Sequence, residues 1–315
     1  MPRSIGIDWG TSSLRASLFD GAGRVLEARV RPWGIRSLPA EGFDAALSDL
    51  LSGWPLCPTC ASGMVGSRQG WHEVPYVDAP ANADALIRGL FQVRAANGRD
   101  VSIIPGVRDS AGPDVMRGEE TQVIGALVQH PELAISSQMI LPGTHSKWVD
   151  VADGYIVRFT TVMTGEIYAL LHEHSILGTA TRTTTDASLG EAFDEGVRAA
   201  RASGNAGVLT RLFSARALML EGRLDENKVS DYLSGLLIGE EWRSMLASDW
   251  LQQDRRPVLI GDERLCARYH RAAALFEIAP PEIIVDAAAR GLWHIIARAS
   301  VDAPPRAATH CESTN

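Results

Sequence analysis

Apolar residues alternate with small or polar ones where the chain begins. Ile5 and Ile7 mark one such run, and Leu14, Ala16 and Leu18 mark the next. A period of two predicts strands with one buried face. Between the runs lies Gly10-Thr11-Ser12-Ser13, residues that tolerate tight turns and expose backbone N–H groups, so a polar hairpin is expected there. Gly21-Ala22-Gly23 makes a second turn before Val25-Leu26. The same arrangement returns later in the chain. Met139 to Leu141 is apolar, Gly143-Thr144-His145-Ser146 turns, and Lys147 to Val151 alternates again. Asp153-Gly154 then turns into a strand from Tyr155 to Thr161. A repeat of this kind predicts two related lobes, each offering a hairpin to a shared cleft. The copies differ at one position: Asp8 in the first corresponds to Leu141 in the second.

Elsewhere the pattern predicts a helix over Phe43 to Leu51 and a buried strand at Cys60 to Gly63 that ends in a Gly-rich loop. An amphipathic helix is expected over Ala83 to Ala96, through Leu86, Leu90, Phe91 and Val93, and a short strand over Val101 to Ile104. Pro105-Gly106 stops that strand. Val107 to Val115 reads as a loop with a hinge at Gly112-Pro113, which sets the boundary between lobes: 1–114 and 115–301. A helix opens at Glu119, and Val162 leads through Thr164-Gly165-Glu166 into another. Further helices are expected at Leu189 to Ala200, Gly207 to Leu220, Val229 to Leu246 and Ala287 to Ala299, the last with Gly291 inside it. Pro257 to Ile260 and Ile283 to Asp286 read as strands. Residues 302–315, with Pro304-Pro305 and no apolar period, read as a frayed tail.

Length and composition narrow the class. At 315 residues the chain has room for two domains, each with its own core. A net charge of −8 argues against binding to nucleic acid or to an anionic membrane surface. No apolar run is long enough to span a bilayer, and the chain enters its first strand directly, so a cytoplasmic protein is expected. Cys57-Pro-Thr-Cys60 has the spacing of a redox pair or half a zinc site, but no second pair completes it, and reduced, incidental thiols are expected. Sequence leaves the oligomeric state open, a homo-oligomer included.

The candidate chemistry gathers at strand ends. Amides and hydroxyls of Gly10, Thr11 and Ser12 make a nest for phosphate oxygens, although the same residues are also common turn chemistry. Asp8 stands where it could hold a metal through water. Ser67, Arg68 and Gln69 follow a buried strand and can contact a polar substrate, with Arg68 able to pair with a carboxylate or simply to be solvated. Glu119 and Glu120 either complement a helix dipole or supply a general base, since neighbouring like charges raise one pKa. Thr164-Gly165-Glu166 places free N–H groups at a helix start. Ser234-Gly235 and Gly239 allow close helix packing or the approach of a flat ligand.

Together these segments resemble a known group. Asp8-x-Gly10-Thr11-Ser12, the Gly143-Thr144 hairpin and Val258-Leu-Ile-Gly261 resemble, in order and spacing, the phosphate-1, phosphate-2 and adenosine motifs of the actin-like, sugar-kinase and heat-shock-chaperone ATPase superfamily. That resemblance implies an α/β fold of two ribonuclease H-like lobes around an interlobe nucleotide cleft. Closer still, Val115-Met-Arg117-Gly118-Glu119-Glu120-Thr121, Leu141-Pro-Gly143-Thr144-His145-Ser-Lys147-Trp148 and Val162-Met-Thr-Gly165-Glu166 resemble 2-dehydro-3-deoxygalactonokinases. These phosphorylate the 6-hydroxyl of 2-dehydro-3-deoxygalactonate with ATP and Mg²⁺. The resemblance implies Glu119 as base, with Glu120 second, because Gly118-Glu119-Glu120-Thr121 stands where wider carbohydrate kinases carry Gly-Asp-x-Gln. It also implies phosphate contacts at Gly10, Thr11, Ser12, Gly143 and Thr144, adenosine contacts at Gly261, Asp262 and Gly235, and hydrated Mg²⁺ at Asp8. Lys147 either adds charge near the γ-phosphate or points at solvent. Substrate contacts are expected from Ser67, Arg68, Gln69, Arg117, Gly165 and Glu166, the two arginines being alternatives for the substrate carboxylate. The rival readings are a kinase for another sugar or sugar acid and, further off, a non-metabolic ATPase switch.

Overall fold

A computed structural model of the chain describes residues 3–178, 190–248, 250–251 and 256–302. In chain order it contains β1 (Ser4–Trp9), β2 (Leu14–Phe19), β3 (Val25–Arg31), α1 (Gly42–Leu50), β4 (Thr59–Gly63), β5 (Val77–Asp78), α2 (Ala83–Arg88), β6 (Phe91–Arg94) and β7 (Asp100–Ile103). There follow β8 (Val107–Asp109), β9 (Asp114–Met116), α3 (Glu119–Gln129), β10 (Ser136–Leu141), β11 (Ser146–Ala152), β12 (Tyr155–Val162) and α4 (Thr164–His174). The remainder is α5 (Glu191–Arg201), α6 (Ser214–Leu220), α7 (Val229–Ala247), β13 (Val258–Ile260), α8 (Glu263–Leu275), β14 (Glu282–Ile284) and α9 (Ala287–Asp302). Two compact units result. The described residues of Met1–Pro75, Ala83–Pro105 and Leu292–Asn315 make one, and those of Tyr76–Asn82 and Gly106–Gly291 make the other. Leu189, the expected start of α5, and residues 303–315 of the expected tail lie outside the described residues.

In the first unit the described strands form one sheet in the order β3-β2-β1-β4-β7-β6. β1, β2 and β3 run antiparallel as a meander, while β1, β4 and β7 are parallel. The alternation read from the sequence is the reason: Ile5, Ile7, Trp9, Leu14, Ala16 and Leu18 share a core with Ala46, Leu47 and Leu50 of α1. One element departs from expectation. The helix expected over Ala83 to Ala96 stops at Arg88, and Phe91–Arg94 instead pairs antiparallel with β7 at the sheet edge. Gly89 releases the helix there, and Gln92 to Ser102 and Arg94 to Asp100 bond across the strands.

In the second unit a five-stranded sheet has the order β12-β11-β10-β13-β14. Again three antiparallel strands are followed by two parallel additions. The order and directions match β3-β2-β1-β4-β7, so the duplication seen in sequence is a duplication of topology. The fold is mixed α/β with two ribonuclease H-like units of the actin-like type. The expected loop over Val107 to Val115 is instead a hairpin: β8 and β9 pair antiparallel and β5 adds in parallel, forming a small sheet. Its strands are three residues or fewer, too short for a period to register. The expected helix over Gly207 to Leu220 is helical only in its second half, as α6, with single 3₁₀ turns before it.

The most closely packed helix pair is α5 against α7. Gly196 of α5 and Gly235 of α7 lie at the crossing, where a Cβ on Gly235 would overlap the Phe193 carbonyl and a Cβ on Gly196 the Tyr232 carbonyl. Gly235 is buried in this contact, so its observed work is helix packing, and a neighbouring helix backbone covers the face expected to meet adenosine. Gly235→Ala should therefore destabilise the fold by about 1–3 kcal/mol, the usual cost of overpacking. Denaturant unfolding followed by circular dichroism checks this; an unchanged midpoint with weakened nucleotide binding would return Gly235 to the nucleotide.

Candidate active site

The first hairpin is closed by the Gly10 amide donating to the Ser13 carbonyl at 2.9 Å. Its own carbonyls are occupied from behind. The Ile35 amide donates to the Gly10 oxygen at 3.1 Å, and the Arg36 amide to the Thr11 oxygen at 3.2 Å. Gly34 makes this possible, because a Cβ there would overlap the Thr11–Ser12 peptide. Neither the Thr11 nor the Ser12 amide has a backbone acceptor among the described residues. A turn with bonded carbonyls and unspent amides has donors to offer an anion. Gly34 was not singled out from sequence, and its only signal there is a glycine after Trp33 in a loop.

Asp8 is half-buried at the end of β1, opposite Arg15 on β2 and Ser62 on β4. Burial pushes its carboxyl above the usual range, and the Arg15 charge partly offsets this. Among the described residues no group of three or more His, Cys, Asp and Glu side chains is placed to hold a metal. Beyond β4, Ser67 ends a 3₁₀ turn with its hydroxyl covered and without a hydrogen-bond partner among the described residues. Arg68 and Gln69 are exposed. Cys57, Cys60 and Cys266 are free thiols, and burial pushes all three up, Cys266 to about 12.

The second hairpin is also held from behind, here by the start of α4. The Glu166 amide donates to the Thr144 carbonyl at 2.9 Å, and a Cβ on Gly165 would overlap the Gly143 carbonyl. The Gly143 and Thr144 amides have no backbone acceptor among the described residues. His145 projects from the turn, about half exposed, with Nε2 in hydrogen-bond contact with the Glu166 carboxylate. His145 was not among the residues expected to act; its place inside Gly-Thr-His-Ser-Lys was the available signal. Gly261 reaches a φ of +143° beside Pro142, so the adenosine-type turn adjoins the hairpin. Asp262 caps α8 by accepting from the Arg264 and Leu265 amides, both at 3.1 Å.

Lys147 does not point at solvent. It is buried, and Nζ donates to the Val115 carbonyl at 3.0 Å and to Thr161 Oγ1 at 2.6 Å. Thr161 in turn donates through its hydroxyl and its amide to the Asp114 carboxylate, both at 2.6 Å. These bonds fasten β9 to β11 and β12 immediately before the two glutamates. Arg117, also buried, lays its guanidinium 4.3 Å over the Tyr76 ring.

The two glutamates have different surroundings. Glu119 is half-buried and accepts from the Arg117 amide at 2.9 Å. Burial raises its pKa, while Lys147 and then His145 pull it down. Glu120 is fully buried and accepts from the Gly118 amide at 2.7 Å and the Thr121 hydroxyl at 3.0 Å, so it closes the first turn of its own helix. Burial, and then the Glu119 charge, push Glu120 up to about 7. Glu119 can meet a ligand. Glu120, wholly covered, cannot.

A further buried carboxylate was missed because it sits inside the long α7 pattern. Glu241 is 1% exposed and accepts from Trp148 Nε1 at 2.7 Å, from the Tyr269 hydroxyl at 2.5 Å and from the Thr164 hydroxyl. Ser146 Oγ shares a 3.1 Å hydrogen bond with the same Tyr269 hydroxyl.

Comparison with known proteins shows the family of the chain. The family model described as 2-keto-3-deoxy-galactonokinase matches residues 8–295. A 2-dehydro-3-deoxygalactonokinase of Escherichia coli (strain K12) is 38% identical over 274 residues, covering 86% of this chain and 89% of that protein. The crystal structure of a putative 2-dehydro-3-deoxygalactonokinase from Sinorhizobium meliloti superposes with a TM-score of 0.84 at 33% identity, over 95% of this chain and 100% of that one. The activator of 2-hydroxyisocaproyl-CoA dehydratase from Clostridium difficile, solved with bound ADPNP, is similar in fold alone: TM-score 0.50, 14% identity, 95% and 96% coverage.

The Glu120 environment has a consequence for stability. Folded, this carboxyl keeps its proton to about pH 7; unfolded, it releases it near 4.5. The folded state therefore binds the extra proton between those values, and stability falls as pH rises through that window, by on the order of 3 kcal/mol. Glu120→Gln should flatten that decline when denaturation midpoints are compared at pH 5 and pH 7. A decline as steep as that of the parent protein would assign the buried proton elsewhere.

Proposed function

The chain belongs to the 2-keto-3-deoxy-galactonokinase family, and from that premise we infer that it is an ATP-dependent kinase of 2-dehydro-3-deoxy-D-galactonate, acting at the 6-hydroxyl. The observation that carries the chemistry is Glu119. It is a reachable carboxylate at the start of α3; burial raises its pKa, and Lys147 is the largest of the attractions that oppose that rise. A carboxylate with a raised pKa is the stronger base once ionised, which suits it to take a hydroxyl proton. The proton of the 6-hydroxyl passes to Glu119 as the oxygen bonds to the γ-phosphorus of ATP. The bond from that phosphorus to the bridging oxygen breaks, and ADP leaves with the electron pair.

Phosphoryl transfer requires positioning and charge neutralisation more than covalent help from the protein. The unspent amides of Thr11 and Ser12 in one unit and of Gly143 and Thr144 in the other suit phosphate oxygens. His145, oriented by Glu166, adds a donor at the second hairpin. Gly165 and Glu166 serve the substrate by supporting that hairpin. Gly261 suits the adenosine end, and Asp262 acts by capping the helix that follows it. Mg²⁺ is commonly held by one or two carboxylates together with substrate phosphates, and Asp8 fits that role as a lone carboxylate at a strand end. Mg²⁺ would there neutralise phosphate charge. For the substrate carboxylate Arg68 is the better partner. It is exposed beside Ser67 and Gln69, whereas the Arg117 guanidinium is buried over Tyr76. Free thiols at the three described cysteines suit a reducing cytoplasm.

ADP release coupled to an optical assay tests the reading. Turnover should depend on 2-dehydro-3-deoxy-galactonate and be much weaker with its gluconate epimer. No sugar-acid dependence would sink the proposal. Glu119→Gln should lower kcat by about 10²–10⁴-fold, the range of a lost general base, while Glu120→Gln keeps most turnover. The opposite ranking would move the base to Glu120.

A further inference from the structure

Glu241 has no part in the chemistry above, yet it is a fully buried carboxylate that accepts three side-chain hydrogen bonds. A buried ion costs several kcal/mol in desolvation unless donors surround it. Here the donors come from three separate elements: Trp148 on β11, Thr164 at the first position of α4, and Tyr269 on α8. Ser146, the first residue of β11, joins through the Tyr269 hydroxyl.

Three members of this network, Ser146, Thr164 and Tyr269, belong to elements that adjoin segments proposed for the nucleotide. Ser146 follows the Gly143-Thr144-His145 turn directly. Thr164 precedes Gly165 and Glu166, whose backbones back that turn. Tyr269 lies on the helix that begins after Gly261-Asp262. A hydrophobic side chain of similar size could fill the same space, but it could not fix three polar side chains in one relative arrangement. Trp242, next to Glu241 in the chain, packs edge-on against Trp148 at 5.1 Å and leaves the Trp148 indole little freedom.

We propose that Glu241 is a positioning residue for ATP: through Trp148, Thr164 and Tyr269 it sets the second hairpin against the start of α4 and the adenosine-side helix. This rests on the kinase reading for its nucleotide. It predicts a specific kinetic signature, because the proposed sugar-acid loop Ser67–Gln69 belongs to the other unit.

The test compares the full-length protein with Glu241→Gln and Glu241→Leu, and with Tyr269→Phe and Thr164→Val, which each delete one donor. KM for ATP, KM for the sugar acid, kcat and the rise in Tm produced by ADP alone are measured for each. Glu241→Gln should raise KM for ATP about tenfold or more and shrink the ADP-induced rise in Tm, while KM for the sugar acid changes less than about twofold. Gln retains one acceptor oxygen, so Glu241→Leu should be worse than Glu241→Gln, and the two single-donor variants intermediate. A Glu241→Gln protein with parental KM for ATP and a parental ADP effect overturns the proposal, even if its Tm is lower. So does an equal loss in both KM values. Should the parent be stabilised by ADP yet phosphorylate no sugar acid, the substrate reading fails, and the ADP measurement still decides the role of Glu241.

Discussion

A turn can present its amides to an anion only if something else satisfies its carbonyls and holds its peptide planes. Both units meet this constraint in the same way, by pressing a distant glycine onto the back of the hairpin. In the first unit Gly34 brings the Ile35 and Arg36 amides onto the Gly10 and Thr11 carbonyls. In the second, Gly165 brings the Glu166 amide onto the Thr144 carbonyl. Any side chain at either glycine would overlap the hairpin backbone, so neither contact survives substitution without movement. The hairpins themselves are short and polar and have little with which to hold their own shape. Their geometry is borrowed from the segments behind them.

That dependence explains what was legible in the sequence. The hairpins were visible because a period of two broken by Gly-Thr-Ser is local information, and the repeat was visible because it occurs twice. The supports were not. Gly34 looks like any loop glycine until its distant partner is known, and Gly165 was noticed for its amide, not for its missing Cβ. Strands β8 and β9, three residues each, are too short for a pattern, so the segment reads as a loop. Leu86, Leu90, Phe91 and Val93 fit a helical spacing, but edge pairing with β7 outweighs it once Gly89 has ended α2. Glu241 was hidden because it is one of four charged residues within nineteen helical residues, and the pattern gives no hint that it alone among them faces inward with its whole side chain covered. Family motifs pointed to the family that the comparisons show. What they could not locate was the machinery acting through tertiary hydrogen bonds.

Glu119 and Glu120 show how neighbouring identical residues acquire different work. Adjacent positions on a helix point about 100° apart, so one carboxylate can be covered while the next is reachable. Gly118, at a φ of +113°, turns its amide into the reach of Glu120, which accepts that amide and the Thr121 hydroxyl and is fully buried. Glu119, one step earlier, accepts from the Arg117 amide and retains exposure. A raised pKa is often taken as a mark of a catalytic acid or base. Here burial raises both carboxyls, and Glu120, pushed up to about 7, is the one that is wholly covered, so geometry must rank ahead of titration in choosing between them.

Lys147 links these observations. A lysine one strand step beyond a phosphate-type turn invites assignment to the phosphate, yet its ammonium is spent on Val115 and Thr161. Those bonds hold β9, and β9 leads through Arg117 and Gly118 into the helix that carries Glu119. The same ammonium is the largest of the attractions that oppose the effect of burial on Glu119. One buried cation thus fixes where Glu119 stands and opposes the effect of burial on its carboxyl. Arginine could not replace it on equal terms: its planar fork needs more room than a buried point charge between a carbonyl and a hydroxyl requires. The lysine therefore acts through the strand it holds and the carboxylate it steadies, not as a charge offered at an open surface.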